Sequence, residues 1–219
     1  VASVALAEVP YSGEDSDFGV ARRGGGAGLV DPYTGNLSFE ASDLSLAGAV
    51  GRYGLSWSRV AASRDSGRPS FFGRGHNWSH SWQWDLAFAE GDEGVVATVR
   101  EPSGAAYQFA QDAEGAWQPV SPAVKHKLSA LGEGFALQLL DGMRVSFAPN
   151  EAVGGFVATE LRDPQSNAWT LSYDEAGWLS QVTEPAGRTL SIAYETLASP
   201  SSGEDFVVIA QVTASDGQE

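Results

Sequence analysis

Cysteine is absent from this 219-residue sequence. Its absence excludes disulfide scaffolding and cysteine-ligated zinc, and it fits an exported bacterial protein. Positive charge is scarce. The chain has 13 Lys and Arg against 28 Asp and Glu, a formal net charge of -15, and a sequence pI near 4.4. Such a surface repels nucleic acid phosphates and anionic lipid heads, so neither partner is expected. No apolar run approaches the ~18 residues of a membrane span, so no membrane insertion is expected. No long window holds the 3.6-residue period of a helix. A G-x-S-x-G motif, a phosphate loop and a cysteine nucleophile are all missing.

What remains is turn-rich and alternating. The 26 Gly and 10 Pro are spread along the chain and mark many turns between short strands. Hydrophobic residues make up 42% and charged residues 19%, a composition that buries a core rather than staying disordered. Period-two alternation recurs in Leu37 and Phe39, Leu55 and Trp57, Tyr107 and Phe109, Phe135, Leu137 and Leu139, and Val145 and Phe147. NWSHSWQWDL reads as one half-buried strand, with Trp78, His80, Trp82 and Trp84 on one face. Turn signals such as EPSG, DAEG, DPQSN, DEAG and EPAG separate the runs. The expectation is an all-β fold, an antiparallel meander of stacked hairpins forming a large curved sheet.

Three units are expected: an apolar N-terminal segment with a Gly-rich tether over 1–28, a set of β-hairpins over 29–150, and repeats over 151–219. Two further stretches read as loops, Ser63 to Gly75 and Leu197 to Asp205. VASVALAE is either the tail of a trimmed export signal, since Ala5-Leu6-Ala7 has the small-x-small form, or a retained apolar strand.

The repeat carries the most information. ELRDPQSNAWTLSYD, from Glu160, aligns with QVTEPAGRTLSIAYE, from Gln181, at a spacing of twenty-one residues. Pro164 matches Pro185, Leu171 matches Ile192, Tyr173 matches Tyr194, and Asp174 matches Glu195. A third copy begins at Gln211, thirty residues after Gln181, the nine-residue insertion LASPSSGED making up the excess. One hairpin cannot bury its own apolar face, whereas stacked hairpins extend a continuous sheet. Leu171, Tyr173, Ile192 and Tyr194 are the expected repeat core.

Tyr173-Asp174-Glu175-Ala176-Gly177-Trp178-Leu179 resembles the Tyr-Asp-x-x-Gly-x-Leu hallmark of the RHS/YD-repeat family. Trp178 stands where that family usually has Arg, and Tyr194-Glu195 is a degraded second copy. LVDPYTGNLSFEASDLSL, from Leu29, and FGRGHNWSHSWQWDL, from Phe72, are similar to the lead-in region that precedes such repeats. VREPSGAAYQF and LQLLDGMRVSF are similar to its paired hairpins. The resemblance covers roughly residues 29 to 219. It implies a long sheet spiralling into a hollow shell, extracellular or on the bacterial cell surface. In relatives the shell encloses a C-terminal toxin or serves adhesion and display. The self-cleaving region and the toxin domain of many such shells have no match here.

Candidate sites are few, and no catalytic, cofactor-binding or metal-binding residues are expected. His76 and His80, four apart on a strand, are separated by roughly 13 Å, which does not suit one metal. His126 stands alone. Asp15 and Asp17 lack the ordered spacing of a calcium loop. Asp163, Asp174 and Glu184 sit at turn positions, where Asx-type or solvated contacts are expected. Three roles follow: a non-catalytic shell building block, a fibre subunit assembling into filaments by β-strand addition, and a carbohydrate-binding adhesin. The fibre reading names Val4, Leu6 and Val9 as the assembly strand, joining the free edge left by the last repeat. The adhesin reading rests on the 7 Trp, whose rings can stack on sugars.

Overall fold

Alternating sequence builds strands from one end of the chain to the other. The computed structural model describes residues 2–5, 26–30, 37–46, 54–62, 71–72, 78–91, 94–198 and 205–215. Among them the regular structure is all strand, and no helix is long and apolar enough to cross a membrane. A small sheet holds β2 (Gly26–Val30), β3 (Leu37–Leu46), β4 (Leu55–Ala62) and β5 (Trp78–His80), in that order.

A large sheet holds the rest. It contains β1 (Ala2–Ala5), β6 (Asp85–Gly91), β7 (Gly94–Arg100), β8 (Ala106–Gln111), β9 (Trp117–Pro119), β10 (Lys127–Leu131), β11 (Gly134–Gln138), β12 (Arg144–Asn150), β13 (Gly155–Arg162), β14 (Ala168–Tyr173), β15 (Leu179–Thr183), β16 (Thr189–Ala198) and β17 (Asp205–Ser215). All pairings are antiparallel, and nearly all join strands adjacent in sequence, as in a meander.

The large sheet forks at β13. One edge of β13 pairs with β12 along its length. The other edge is shared, with Glu160–Arg162 pairing β14 and Phe156–Val157 pairing β6. One branch runs β6 to β9 and the other runs β14 to β17, with β1 outermost. Phe88, Trp117, Phe135 and Phe156, from β6, β9, β11 and β13, form an aromatic cluster with ring centroids 5.0 to 6.2 Å apart. Edge-on and tilted contacts of this kind add to area burial.

A single apolar face is continuous across the large sheet. Val99, Phe109, Val145, Leu161, Trp169, Val182, Leu190 and Val212 are all fully buried. The small sheet contributes Leu55 and Trp57 to the same core. Trp169 ties the two sheets together: its indole N–H donates to the carbonyl of Gly54 at 2.9 Å.

Two readings of the alternation need correction. NWSHSWQWDL is not one strand. β5 ends at His80, a turn follows in which the N–H of Gln83 donates to the carbonyl of His80 at 2.9 Å, and Asp85 opens β6 in the other sheet. Ser79, expected on the solvent face, is buried, because its hydroxyl donates to the carbonyl of Pro102 at 2.8 Å between the layers. Leu37 and Phe39, expected to face the core, are 48% and 40% exposed, since the large sheet does not cover that end of β3.

Candidate functional site

The repeat hairpins are the candidate functional element, and their turns share one geometry. At 101–105, 112–116, 139–143, 163–167, 174–178 and 184–188, the first residue donates its N–H to the fifth residue's carbonyl. The fourth donates back to the first. The fourth position needs positive φ, and it holds Gly104, Gly115, Gly142, Gly177 and Gly187, but Ser166 at φ 70°. Gly177 is required twice over: its φ is 79°, and an added Cβ would lie 2.6 Å from a methyl of Val153.

Five of the six turns have an acid at the first position, Leu139 being the exception. Asp174 accepts from the N–H groups of Ala176 and Trp178, and Asp163 accepts from those of Gln165 and Asn167. Asp163 and Glu184 are not solvated, being only 4% and 2% exposed. Burial is tolerated because each charge is fully engaged. Asp163 also accepts from the Asn167 amide at 2.8 Å, and Glu184 forms a two-pronged ion pair with Arg188.

The twenty-one-residue offset reappears as three-dimensional equivalence. A bulge places one extra residue at Thr159 in β13, Ser180 in β15 and Ala210 in β17. The Thr159 and Ser180 hydroxyls donate to the carbonyls of Ser146 and Ser172 on the facing strand, at 3.3 and 3.1 Å. Beside each of the first two bulges a tyrosine reaches across. Tyr173 donates to the carbonyl of Ala158 at 2.7 Å, and Tyr194 to that of Leu179 at 2.9 Å. Leu171 and Ile192 are buried next to them. Burial raises both phenol pKa values above their ordinary range, with the charge of Asp85 adding at Tyr173 and that of Asp174 at Tyr194.

Residues 158–189, which hold the Tyr173 lock and the Leu179 carbonyl that receives Tyr194, match the RHS Repeat family. Residues 28–109 match a domain of unknown function (DUF6531), an N-terminal region in RHS proteins. The chain is an RHS/YD-repeat protein. No curated protein matches it.

In this RHS protein the residues considered for other chemistry serve packing. The His80 ring stacks on Trp57 at 4.4 Å, and its Nδ1 accepts from the N–H of Trp82. His126 accepts the N–H of Leu140 at 3.1 Å and meets Tyr107 edge-on. His76, Asp15 and Asp17 lie outside the described residues. Trp57, Trp82, Trp84 and Trp169 are core residues. Trp78, Trp117 and Trp178 are half-buried, each against other aromatic rings.

Of the proposed assembly strand, Val4 falls in β1, at a register position opposite Val212 of the same chain's β17. Leu6 and Val9 lie outside the described residues. Sequence reasoning missed Phe71, in a stretch read as loop. Its ring packs on Trp178 and Tyr194, and its carbonyl accepts the N–H of Ile209 at 2.8 Å. The Phe71-Phe72 pair inside an otherwise polar run was the available signal.

Proposed function

We propose that this chain is a non-catalytic structural building block, the beginning of an RHS-type β-shell wall, secreted or displayed on a bacterial surface. The RHS repeat supports a structural role in general. The observation that carries the finer reading is the paired lock, in which Tyr173 and Tyr194 make the same hydrogen bond to equivalent carbonyls twenty-one residues apart. A module that repeats its turn, bulge and tyrosine presents the same edge to its successor, so the wall extends by addition of like units. In a longer parent polypeptide such a wall encloses a cargo, such as a C-terminal toxin.

Extending the chain tests the reading. Two or three further hairpins of the 160–195 pattern are appended after Glu219. They are expected to fold onto the sheet, raising the denaturant m-value in proportion to added surface. Added hairpins that stay protease-sensitive, with an unchanged m-value, would refute a self-propagating wall. Turnover of glycosides, esters or peptides by the unextended chain would refute the non-catalytic part.

A further inference from the structure

The outermost strand of the repeat sheet comes from the other end of the chain. β1 pairs with β17 through Ser3↔Thr213, Val4↔Val212 and Ala5↔Gln211. One hairpin earlier, β16 pairs with β15 through Thr189↔Thr183, Leu190↔Val182 and Ser191↔Gln181. Gln211-Val212-Thr213 and Gln181-Val182-Thr183 are the same tripeptide. Ser3, Val4 and Ala5 thus take the register places of Thr189, Leu190 and Ser191, in the same antiparallel sense and with matching hydroxyl, apolar and small residue types. β1 occupies the backbone site that a further repeat strand would fill.

The same edge carries a second cap. Ile209 is equivalent to Leu179, the residue whose carbonyl receives Tyr194. At Ile209 the backbone is met instead by the carbonyl of Phe71. Both caps therefore come from outside the repeat. A bare edge here would expose a row of unpaired N–H and C=O groups beside the buried Val212 and Ala214.

We propose that β1 is an exchangeable strand, and that the edge of β17 accepts the β1 of a second copy of this chain in place of its own. The same backbone pairs form in both arrangements, so the exchange costs little beyond bringing two molecules together. Residues 6–25 separate β1 from β2, a length that extended chain converts into a reach of up to ~66 Å at about 3.3 Å per residue. Covalent linkage therefore does not confine β1 to its own sheet. The contact is head-to-tail and propagates from copy to copy. It depends on strand register alone, so it stands or falls independently of the shell-wall role.

Because the chain has no cysteine, thiols can be placed at one register pair only. One full-length preparation carries Ser3→Cys and another carries Thr213→Cys. Directly opposed strand residues are close enough for a disulfide. Mixed under oxidising conditions, the two are expected to form a disulfide-linked heterodimer, at least about tenfold faster than Ser3→Cys mixed with Ser129→Cys. The rate is expected to rise with concentration, since the trapped exchange must outrun an intramolecular partner at an effective concentration on the order of millimolar. A chain bearing both Ser3→Cys and Thr213→Cys is expected to close on itself when dilute. If that double variant does not close, the register is wrong and the inference fails. If it closes but the mixed single variants cross-link no faster than the Ser129→Cys control, β1 is a permanent cap and exchange is excluded.

Discussion

The repeat branch and the four-stranded sheet are both sequential meanders, yet they are held in different ways. From β13 to β16 each strand is joined to the next by a five-residue turn with one hydrogen-bond pattern, and the β13–β14 and β15–β16 hairpins each carry a tyrosine lock. The specification is local and repeated. In the small sheet, longer segments join β2 to β3, β3 to β4 and β4 to β5, and the fixed points are individual. Asp43 and Arg59 form a bidentate pair at 2.7 Å across β3 and β4, and Arg59 lies over the Trp78 ring at 5.9 Å. Its buried face, Leu55 and Trp57, has its partner in the other sheet. A hairpin unit that repeats can propagate, whereas a four-stranded sheet with one face to bury depends on what it docks against.

Trp169 is where that dependence is broken most directly. Trp169→Ala removes a fully buried ring from the junction and is expected to cost about 3–5 kcal/mol. It should also separate the unfolding of the two sheets, visible as non-coincident transitions by far-ultraviolet circular dichroism and tryptophan fluorescence in urea. A single coincident transition would mean the small sheet does not lean on β14.

The repeat side is sharpened by treating its two locks alike. Tyr173→Ala and Tyr194→Ala are each expected to cost roughly 2–4 kcal/mol by loss of packed volume. The Phe variants should each cost about 1 kcal/mol, the net worth of the lost hydrogen bond. Similar Phe penalties at the two sites would support equivalent modules, and a several-fold difference in urea melts would break the equivalence.

Alkali should act on the same residues. A tyrosine whose folded pKa is raised contributes stability that is complete below its unfolded value of about 10 and is lost as pH climbs toward the folded value. Tyr107 is pushed up to about 12, by burial first and then by Glu101. Tyr173 and Tyr194 are shifted in the same direction by deeper burial. Stability is therefore expected to hold up to about pH 10 and to fall above it. Phenolate absorbance of Tyr173 and Tyr194 should appear only with unfolding, and Tyr173→Phe should flatten the alkaline slope.

The smallest effect is expected at Ser166, the one turn position that departs from glycine among the turns compared above. Ser166→Gly relieves a left-handed backbone at φ 70° and should stabilise the protein by about 0.5–1 kcal/mol in urea melts. Gly177→Ala, by contrast, should destabilise, because it meets both the same backbone restriction and Val153.

Much of the repeat branch was legible from sequence because its determinants are local. The twenty-one-residue spacing aligned Leu171 with Ile192 and Tyr173 with Tyr194. The runs DPQSN, DEAG and EPAG marked the turns. Less was legible where two segments far apart in sequence had to meet. Alternation reports which face a residue takes but not which sheet its strand joins, so the change of sheet between His80 and Asp85 and the shared edge of β13 were invisible to it. Turn chemistry left Asx-type and solvated contacts both open at Asp163 and Glu184, and only the packed structure put these acids in the interior.

By itself the sequence determined that this chain is a stack of antiparallel hairpins with a repeating module at its C-terminal side, because backbone alternation and turn geometry act over a few residues. The tertiary structure alone decided the fork at β13, the docking of Phe71 at Ile209 and the register in which β1 pairs with β17 of its own chain. Those outcomes turn on which free edge and which apolar face find each other, and backbone hydrogen bonds at an edge accept any extended strand that fits the register.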